Sequence, residues 1–310
     1  MPPYSPDQWK DKGSYFHHKD HPVFYVDEGQ GPVIVLIHGF PTSSFDWSYI
    51  WDGLGDYRRI APDLMGFGFS AKPTSYHYSI SDQASLVEGM LEQLGIAEYQ
   101  ILAHDYGDTV AQELLARHRM RKHRLEPGKE TTIQSTESWP DVGTQSVIRS
   151  CCLLNGGLFP EVHRPRTIQK LLIGPFGSIV ARLINKSKFE KSFAEIFGKN
   201  SRPSQQELDY FWQLIETNHG TRIYHKLIRY MQERKQFRTR WVEPLQKGDV
   251  PLRLINGPDD PVSGKHMAER YRELVPEVDI VLLEGIGHYP QTEAPQQVLN
   301  AYLEFLRAVG

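Results

Sequence analysis

Three residues of the 310-residue chain have the types and placement for chemistry: Asp105 in AHDYGD, Asp260 in NGPDDP and His288 in EGIGHYPQ. Each follows a short apolar run of strand character, Tyr99 to Ala103, Val250 to Ile255 and Asp279 to Leu283. In an open parallel sheet ligands bind beyond the carboxyl ends of the strands, where these groups would stand. AHDYGD has the small-x-nucleophile-x-small form of a tight strand-to-helix turn, with Ala103 and Gly107 small enough for its close contacts, yet Asp105 stands where serine is usual. Singly, the three have bland readings: an N-cap, a Gly-Pro turn and a structural histidine. Together, in the order nucleophile, acid, base, they form a catalytic set.

A carboxylate nucleophile changes the reaction. Attack on an acyl carbon would give an anhydride, whereas displacement at a saturated carbon gives an alkyl ester, so the substrate should be an alkylating agent. Water polarised by His288, whose ring Asp260 orients, would then hydrolyse that ester. The oxyanion forms on Asp105 itself. HGFPTSSFDW, which follows the strand Val33 to Ile37, offers the N–H of Phe40, and the residue after the nucleophile offers that of Tyr106. Each such donor is typically worth about 3 kcal/mol. Epoxides and alkyl halides both fit; an opening epoxide needs a proton donor such as a phenol, a departing halide needs indole or amide N–H groups.

The elements that would position these groups alternate between strand and helix, which implies an α/β fold with a mostly parallel sheet. Further strands are expected at Tyr57 to Ala61 and Ile148 to Leu154, with an antiparallel edge pair at Ser14 to His17 and Val23 to Asp27. Helices are expected at Ser81 to Leu94, Tyr106 to Met120, His266 to Val275 and Pro295 to Arg307. Residues 121–146 read as a polar surface insertion, and residues 158–241 as a helical excursion that forms a lid. The expected division is core 1–157, cap 158–242 and core 243–310. Phe40, Tyr106, Phe159, Phe176, Phe193 and Phe197 are candidates for an apolar pocket under the lid, with His38 and Asn155 also near the site. His104 reads as a core residue and Asp108 as a helix cap.

A formal net charge of -3, with 39% hydrophobic and 24% charged residues, makes no case for nucleic acid or an anionic membrane surface as partner. A small apolar substrate and water are the expected partners of a monomer or homodimer. Cys151 and Cys152 are adjacent and read as reduced core residues. No signal-peptide core and no apolar run near ~20 residues occurs, so a cytoplasmic location is expected. Scattered histidines without paired ligand spacing, and GFGFS without a phosphate-cradle pattern, imply no metal and no cofactor.

The combination HGFP, DLMGFGFS, HDYGD, GPDDP and GHYP resembles the α/β-hydrolase group that holds epoxide hydrolases and haloalkane dehalogenases. HDYGDTVAQELL, LNGGLFPEVHRP and QERKQFRTRW are similar to mesoderm-specific-transcript-type proteins. The resemblance implies an eight-stranded, mostly parallel sheet with helices on both faces and an inserted cap. It places the acid three residues after Gly257, at Asp260 rather than Asp259. It also implies epoxide opening through Asp105, because dehalogenases of the group carry Trp after the nucleophile, where Tyr106 stands here. Epoxide hydrolases carry two lid tyrosines as proton donors. Tyr230 lies near the second position, while Ile196 occupies the first, leaving Tyr210 or Tyr224 as substitutes. The alternatives are a dehalogenase or another ester or carbon–carbon hydrolase on the same fold, and a non-catalytic binding protein.

Overall fold

The computed structural model describes residues 2–124 and 146–310. Eight strands, β1 (Gly13–His18), β2 (His21–Glu28), β3 (Val33–Ile37), β4 (Arg58–Pro62), β5 (Glu98–His104), β6 (Val147–Leu154), β7 (Leu252–Asn256) and β8 (Ile280–Leu282), form one sheet. Their order is β1-β2-β4-β3-β5-β6-β7-β8. β2 runs antiparallel to both neighbours and the other pairs are parallel. The central strands read VIVLI, ILAH and CCLL because both of their faces are covered. The expected edge pair is a hairpin whose two turn residues, Lys19 and Asp20, both have positive φ, the backbone that matches strand twist in a two-residue turn.

Helices α1 (Pro6–Asp11), α2 (Ile80–Gln93) and α3 (Tyr106–Arg124) precede β6. α2 starts at Ser79, whose side chain accepts the Asp82 N–H, and stops at Gly95 with φ 66°. Between β6 and β7 run α4 (Thr167–Ile173), α5 (Gly177–Arg182), α6 (Lys186–Ala194), α7 (Gln205–Glu216), α8 (Tyr224–Leu227), α9 (Tyr230–Gln236) and α10 (Arg238–Lys247). α11 (Lys265–Leu274), α12 (Pro290–Glu293) and α13 (Pro295–Val309) complete the chain. Cys151 and Cys152 are free and buried in β6.

Three expectations need adjustment. α3 extends past Met120, because Arg117 and Arg121 on its polar-looking end reach buried acids: Arg117 donates to Glu88 at 2.6 Å and Glu113 at 2.8 Å, and Arg121 to Glu88 at 2.7 Å. The expected insertion thus begins inside a helix, and its residues 125–145 lie outside the described residues. The expected boundary at 242 falls within α10, a helix tied to the core by the Gln112 amide, which donates to the Trp241 carbonyl at 3.1 Å. β7 starts at Leu252 rather than Val250, since Pro251 has no N–H for the ladder and only its carbonyl is used, by Cys151.

Two glycines test the packing in opposite directions. A Cβ on Gly107 would lie 2.1 Å from the Ile37 carbonyl oxygen. Gly107→Ala should lower unfolding free energy by roughly 2–3 kcal/mol through backbone displacement. At Gly89, inside α2, a Cβ would meet nothing within 4 Å among the described residues. Gly89→Ala should raise stability by roughly 0.5–1 kcal/mol. Urea denaturation of both variants measures the pair.

Candidate active site

β5 ends at His104 and α3 begins at Tyr106, leaving Asp105 alone to make the turn with φ 45°. A non-glycine residue there costs about 1–3 kcal/mol and persists only where its surroundings hold it. The Asp105 N–H donates to the Leu154 carbonyl at 3.1 Å, and the missing side chain at Gly107 lets the turn lie on β3. The carboxylate is thereby aimed past the strand ends. Its Oδ2 accepts the Phe40 N–H at 3.1 Å, and its Oδ1 lies 4.0 Å from His288 Nε2. Tyr289 holds the Phe40 peptide by donating to its carbonyl at 3.3 Å. Tyr106 is the first residue of α3, where main-chain N–H groups have no acceptor within the helix.

His288 sits in the loop after β8, with its Nδ1 2.7 Å from Asp260 Oδ2. Asp260, in the loop after β7, also accepts the Val262 N–H at 2.7 Å, the Ser263 N–H at 3.1 Å, the Ser263 hydroxyl at 2.8 Å and the Asn155 amide at 3.0 Å. Burial opposes its charge, but the imidazolium and these donors outweigh it and hold the carboxyl at about 2. Burial likewise opposes the imidazolium, yet the charges of Asp260 and Asp105 push His288 up to about 9. Asn155, with φ 44° at the end of β6, braces this loop, donating to Gly257 O at 3.0 Å and accepting the Gly257 N–H at 2.7 Å. Its role is support of Asp260 rather than lining the pocket.

Over Asp105 lies an apolar cavity of about 450 Å³, walled by Phe40, Leu172, Phe193, Ile196, Tyr224 and Val262, with Asp105 and His288 at its floor. Cap helices therefore cover the strand ends. Tyr224 lines this space, and its buried hydroxyl, like that of Tyr230, has no hydrogen-bond partner among the described residues. Tyr230 stands behind the wall, its ring 4.7 Å from that of Tyr106; burial and the charge of Asp105 push its phenol above the usual range. Tyr210 lies elsewhere, its hydroxyl accepting from Gln206 on the outside of α7. His38 is also removed from the cavity: its Nε2 accepts the Leu64 N–H at 3.0 Å, its Nδ1 donates to Gly39 O at 2.8 Å, and burial lowers it to about 4. Of the expected pocket aromatics, Phe40 and Phe193 line the cavity, Phe159 is core, and Phe176 points to solvent at 70% exposure.

Near Asp105, one group escapes sequence reasoning and another differs from it. Arg234 of α9 is buried, donating through Nη2 to the Asp105 carbonyl at 3.0 Å and through Nε to Thr109 at 2.7 Å. Its Nη2 is 3.8 Å from Asp105 Oδ1, and its guanidinium stacks 4.5 Å above the Tyr230 ring. The one available signal is its place one helical turn after Tyr230 in an otherwise solvated-looking charge run. Asp108 is fully buried instead of capping; burial and the charge of Asp105 push it well above the usual carboxylate range, and it accepts the Leu154 N–H. His104 is core as expected, donating from Nε2 to the His288 carbonyl at 2.7 Å. Among the described residues no group of three or more His, Cys, Asp or Glu could hold a metal ion.

The linked titration has a definite sign. Since folding raises His288 from 6.5 to about 9, its stabilisation is complete below 6.5 and lost as pH climbs through 9. Folding depresses Asp260 from 3.8 to about 2, so its contribution is lost as pH falls across that interval. Replacing Asp105 by Asn removes one of the charges that raise His288 and should lower that residue's pKa by roughly one unit. NMR titration of the imidazole nitrogens reads the shift; an unchanged value would mean that Asp105 does not act on the ring.

The alpha/beta hydrolase family model matches residues 34–301. The mesoderm-specific transcript homolog protein of Bos taurus is 42% identical over 313 residues, 97% of this chain and 87% of that protein. Among solved structures, the haloalkane dehalogenase DatA from Agrobacterium tumefaciens C58 superposes with a TM-score of 0.76 at 19% identity, covering 96% of this chain and 97% of its own. The epoxide hydrolase CorEH gives 0.73 at 17% identity, covering 96% and 99%. At these identities the two structures speak for the fold, while the family model and the bovine relative span most of the sequence. The chain belongs to the α/β-hydrolase family.

Proposed function

We propose that the protein is a cofactor-free epoxide hydrolase that converts an apolar epoxide and water to a vicinal diol. The observation that carries this reading is a carboxylate, not a hydroxyl, at the centre of the nucleophilic turn, with Oδ2 on the Phe40 N–H and Oδ1 beside His288 at the floor of an apolar cavity. Asp105 Oδ1 attacks one epoxide carbon, that carbon's bond to the ring oxygen breaks, and the alkoxide takes a phenolic proton. Of the two cap tyrosines whose hydroxyls have no partner among the described residues, Tyr224 is the one that lines the cavity, and we assign it the donor role. Tyr230, the first choice on sequence grounds, lies behind the wall under Arg234, so its part is secondary.

Ester formation removes the negative charge of Asp105, one of the charges that raise His288. The imidazolium then gives its proton to the phenolate and becomes the base for the second half. His288 takes a proton from water, and the hydroxide attacks Cγ of Asp105. The resulting oxyanion lies where the Phe40 N–H, with that of Tyr106, can donate to it. Collapse breaks the ester bond, and the departing alkoxide takes the proton of the newly bound hydroxyl. Asp105 is again a carboxylate, His288 again an imidazolium, and the diol is released.

A haloalkane would use the same nucleophile, but no Trp or Asn side chain lines the cavity among the described residues to hold a leaving halide. A single turnover in heavy-oxygen water with panels of epoxides and haloalkanes separates the readings. Diol carrying unlabelled oxygen, with label entering Asp105, is the expected result; halide release in place of diol formation moves the assignment to a dehalogenase. Absence of turnover on both panels, or full activity in Asp105→Ala, would sink the mechanism altogether. Tyr224→Phe should slow ester formation roughly 100-fold, and Tyr230→Phe less, in stopped-flow measurements. The reverse ranking returns the donor role to Tyr230.

A further inference from the structure

Of the eight large apolar side chains that are exposed among the described residues, four fall within thirteen residues of the cap: Leu171 at 52%, Phe176 at 70%, Ile179 at 54% and Leu183 at 60%. Phe176, Ile179 and Leu183 are spaced three and four apart along α5 and its flanks, so they share one helical face, while Gly177 and Ala181 on the other side are buried. Such a cluster marks an interaction surface rather than incidental exposure. Leu171 and Leu183 also line the cavity above Asp105, so the patch is continuous with the cavity's rim. Its charge surroundings are as distinctive. From Arg164 to Lys199 the sequence holds eight Lys or Arg and two Asp or Glu, although acids outnumber bases, 38 to 35, over the whole chain. Lys170 and Arg182, beside the patch, are exposed and enter no ion pair among the described residues.

We infer that this face of the cap docks the protein on an anionic lipid surface, with Phe176, Ile179 and Leu183 inserted among the acyl chains and Lys170 and Arg182 against the headgroups. Apolar side chains flanked by Lys and Arg are the pattern of helices that lie in a membrane interface, where buried apolar area and attraction to anionic headgroups add. A soluble apolar ligand would account for the apolar face but gives the segregated positive charge no counterpart, and a two-fold dimer through this patch would set the basic border of one copy against that of the other. No helix among the described residues is long and apolar enough to cross a membrane, so attachment is peripheral. The net charge of the chain, which argues against such a partner, averages over a cap and a core of opposite sign. Docking brings the cavity's rim to the lipid, so a substrate dissolved in the bilayer can enter without crossing water; this last step rests on the hydrolase reading, whereas docking does not.

Flotation of the full chain with vesicles of phosphatidylcholine, alone or with about one third phosphatidylserine, tests docking without any activity measurement. Binding should require the anionic lipid and weaken at high salt. It should fall at least roughly fivefold in Phe176→Ser/Ile179→Ser and also in Lys170→Glu/Arg182→Glu. All four positions are exposed, and unchanged thermal unfolding verifies the fold of each variant. Failure of the wild type to float, binding indifferent to lipid charge, or binding retained in either double variant overturns the inference. So does a lipid-free dimer in sedimentation velocity that Phe176→Ser/Ile179→Ser dissociates, which would assign the patch to a second copy.

Discussion

A carboxylate at the floor of an apolar cavity must have charge and hydrogen-bond partners close by, because an isolated one is too costly to bury. The arrangement around Asp105 follows from that constraint. One partner, the Phe40 N–H, comes from the loop after β3; another, the His288 imidazole, from the loop after β8; the third, the Arg234 guanidinium, from cap helix α9. No single element could supply all three. The parallel order of β3, β5, β6, β7 and β8 brings the loops to one edge, and the cap closes over that edge with its own cation.

The other buried carboxyls show what happens with different partners. Asp108 and Asp46 lie in the same interior, yet burial pushes both well above the usual carboxylate range, Asp108 being further raised by Asp105 and Asp46 having Thr42 as its main side-chain donor. Asp260 is equally buried but accepts from two main-chain N–H groups, a hydroxyl, an amide and the His288 ring, and is held near 2. The imidazolium in direct contact, added to its donors, holds Asp260 low at a depth where burial raises Asp108 and Asp46. Asn155 matters through this balance: its left-handed turn at the end of β6 puts one amide across Gly257 and Asp260 together.

What is legible in the sequence is whatever depends on period and strand ends. Asp105 follows β5 directly, Phe40 follows β3 by three residues, Asp260 follows β7 by four and His288 follows β8 by six, so local pattern locates them and the sheet brings them together. The strand boundaries move by one or two residues, at Pro251 for a stated hydrogen-bonding reason. What cannot be read is the register of the cap over the sheet. Arg234 lies 129 residues from the carbonyl it holds, and nothing in QERKQF separates a buried guanidinium from a solvated one. For the same reason sequence cannot order the lid tyrosines: Tyr210, Tyr224 and Tyr230 are alike in pattern, and only the turn of each helix decides which ring lines the cavity.

Composition is silent on a related point, the placement of charge. A net charge of -3 describes a chain whose sign is uniform on average, and average sign governs long-range attraction only when charges are mixed over the surface. Within a screening length of roughly 8 Å at physiological salt, a surface acts through its own charges, not the total. The segment from Arg164 to Lys199 is strongly basic beside an apolar face that opens into the cavity. Under the docking inference, an apolar wall, an apolar rim and a basic border form one continuous gradient from headgroup to Asp105, a path along which a lipid-dissolved substrate stays in apolar surroundings.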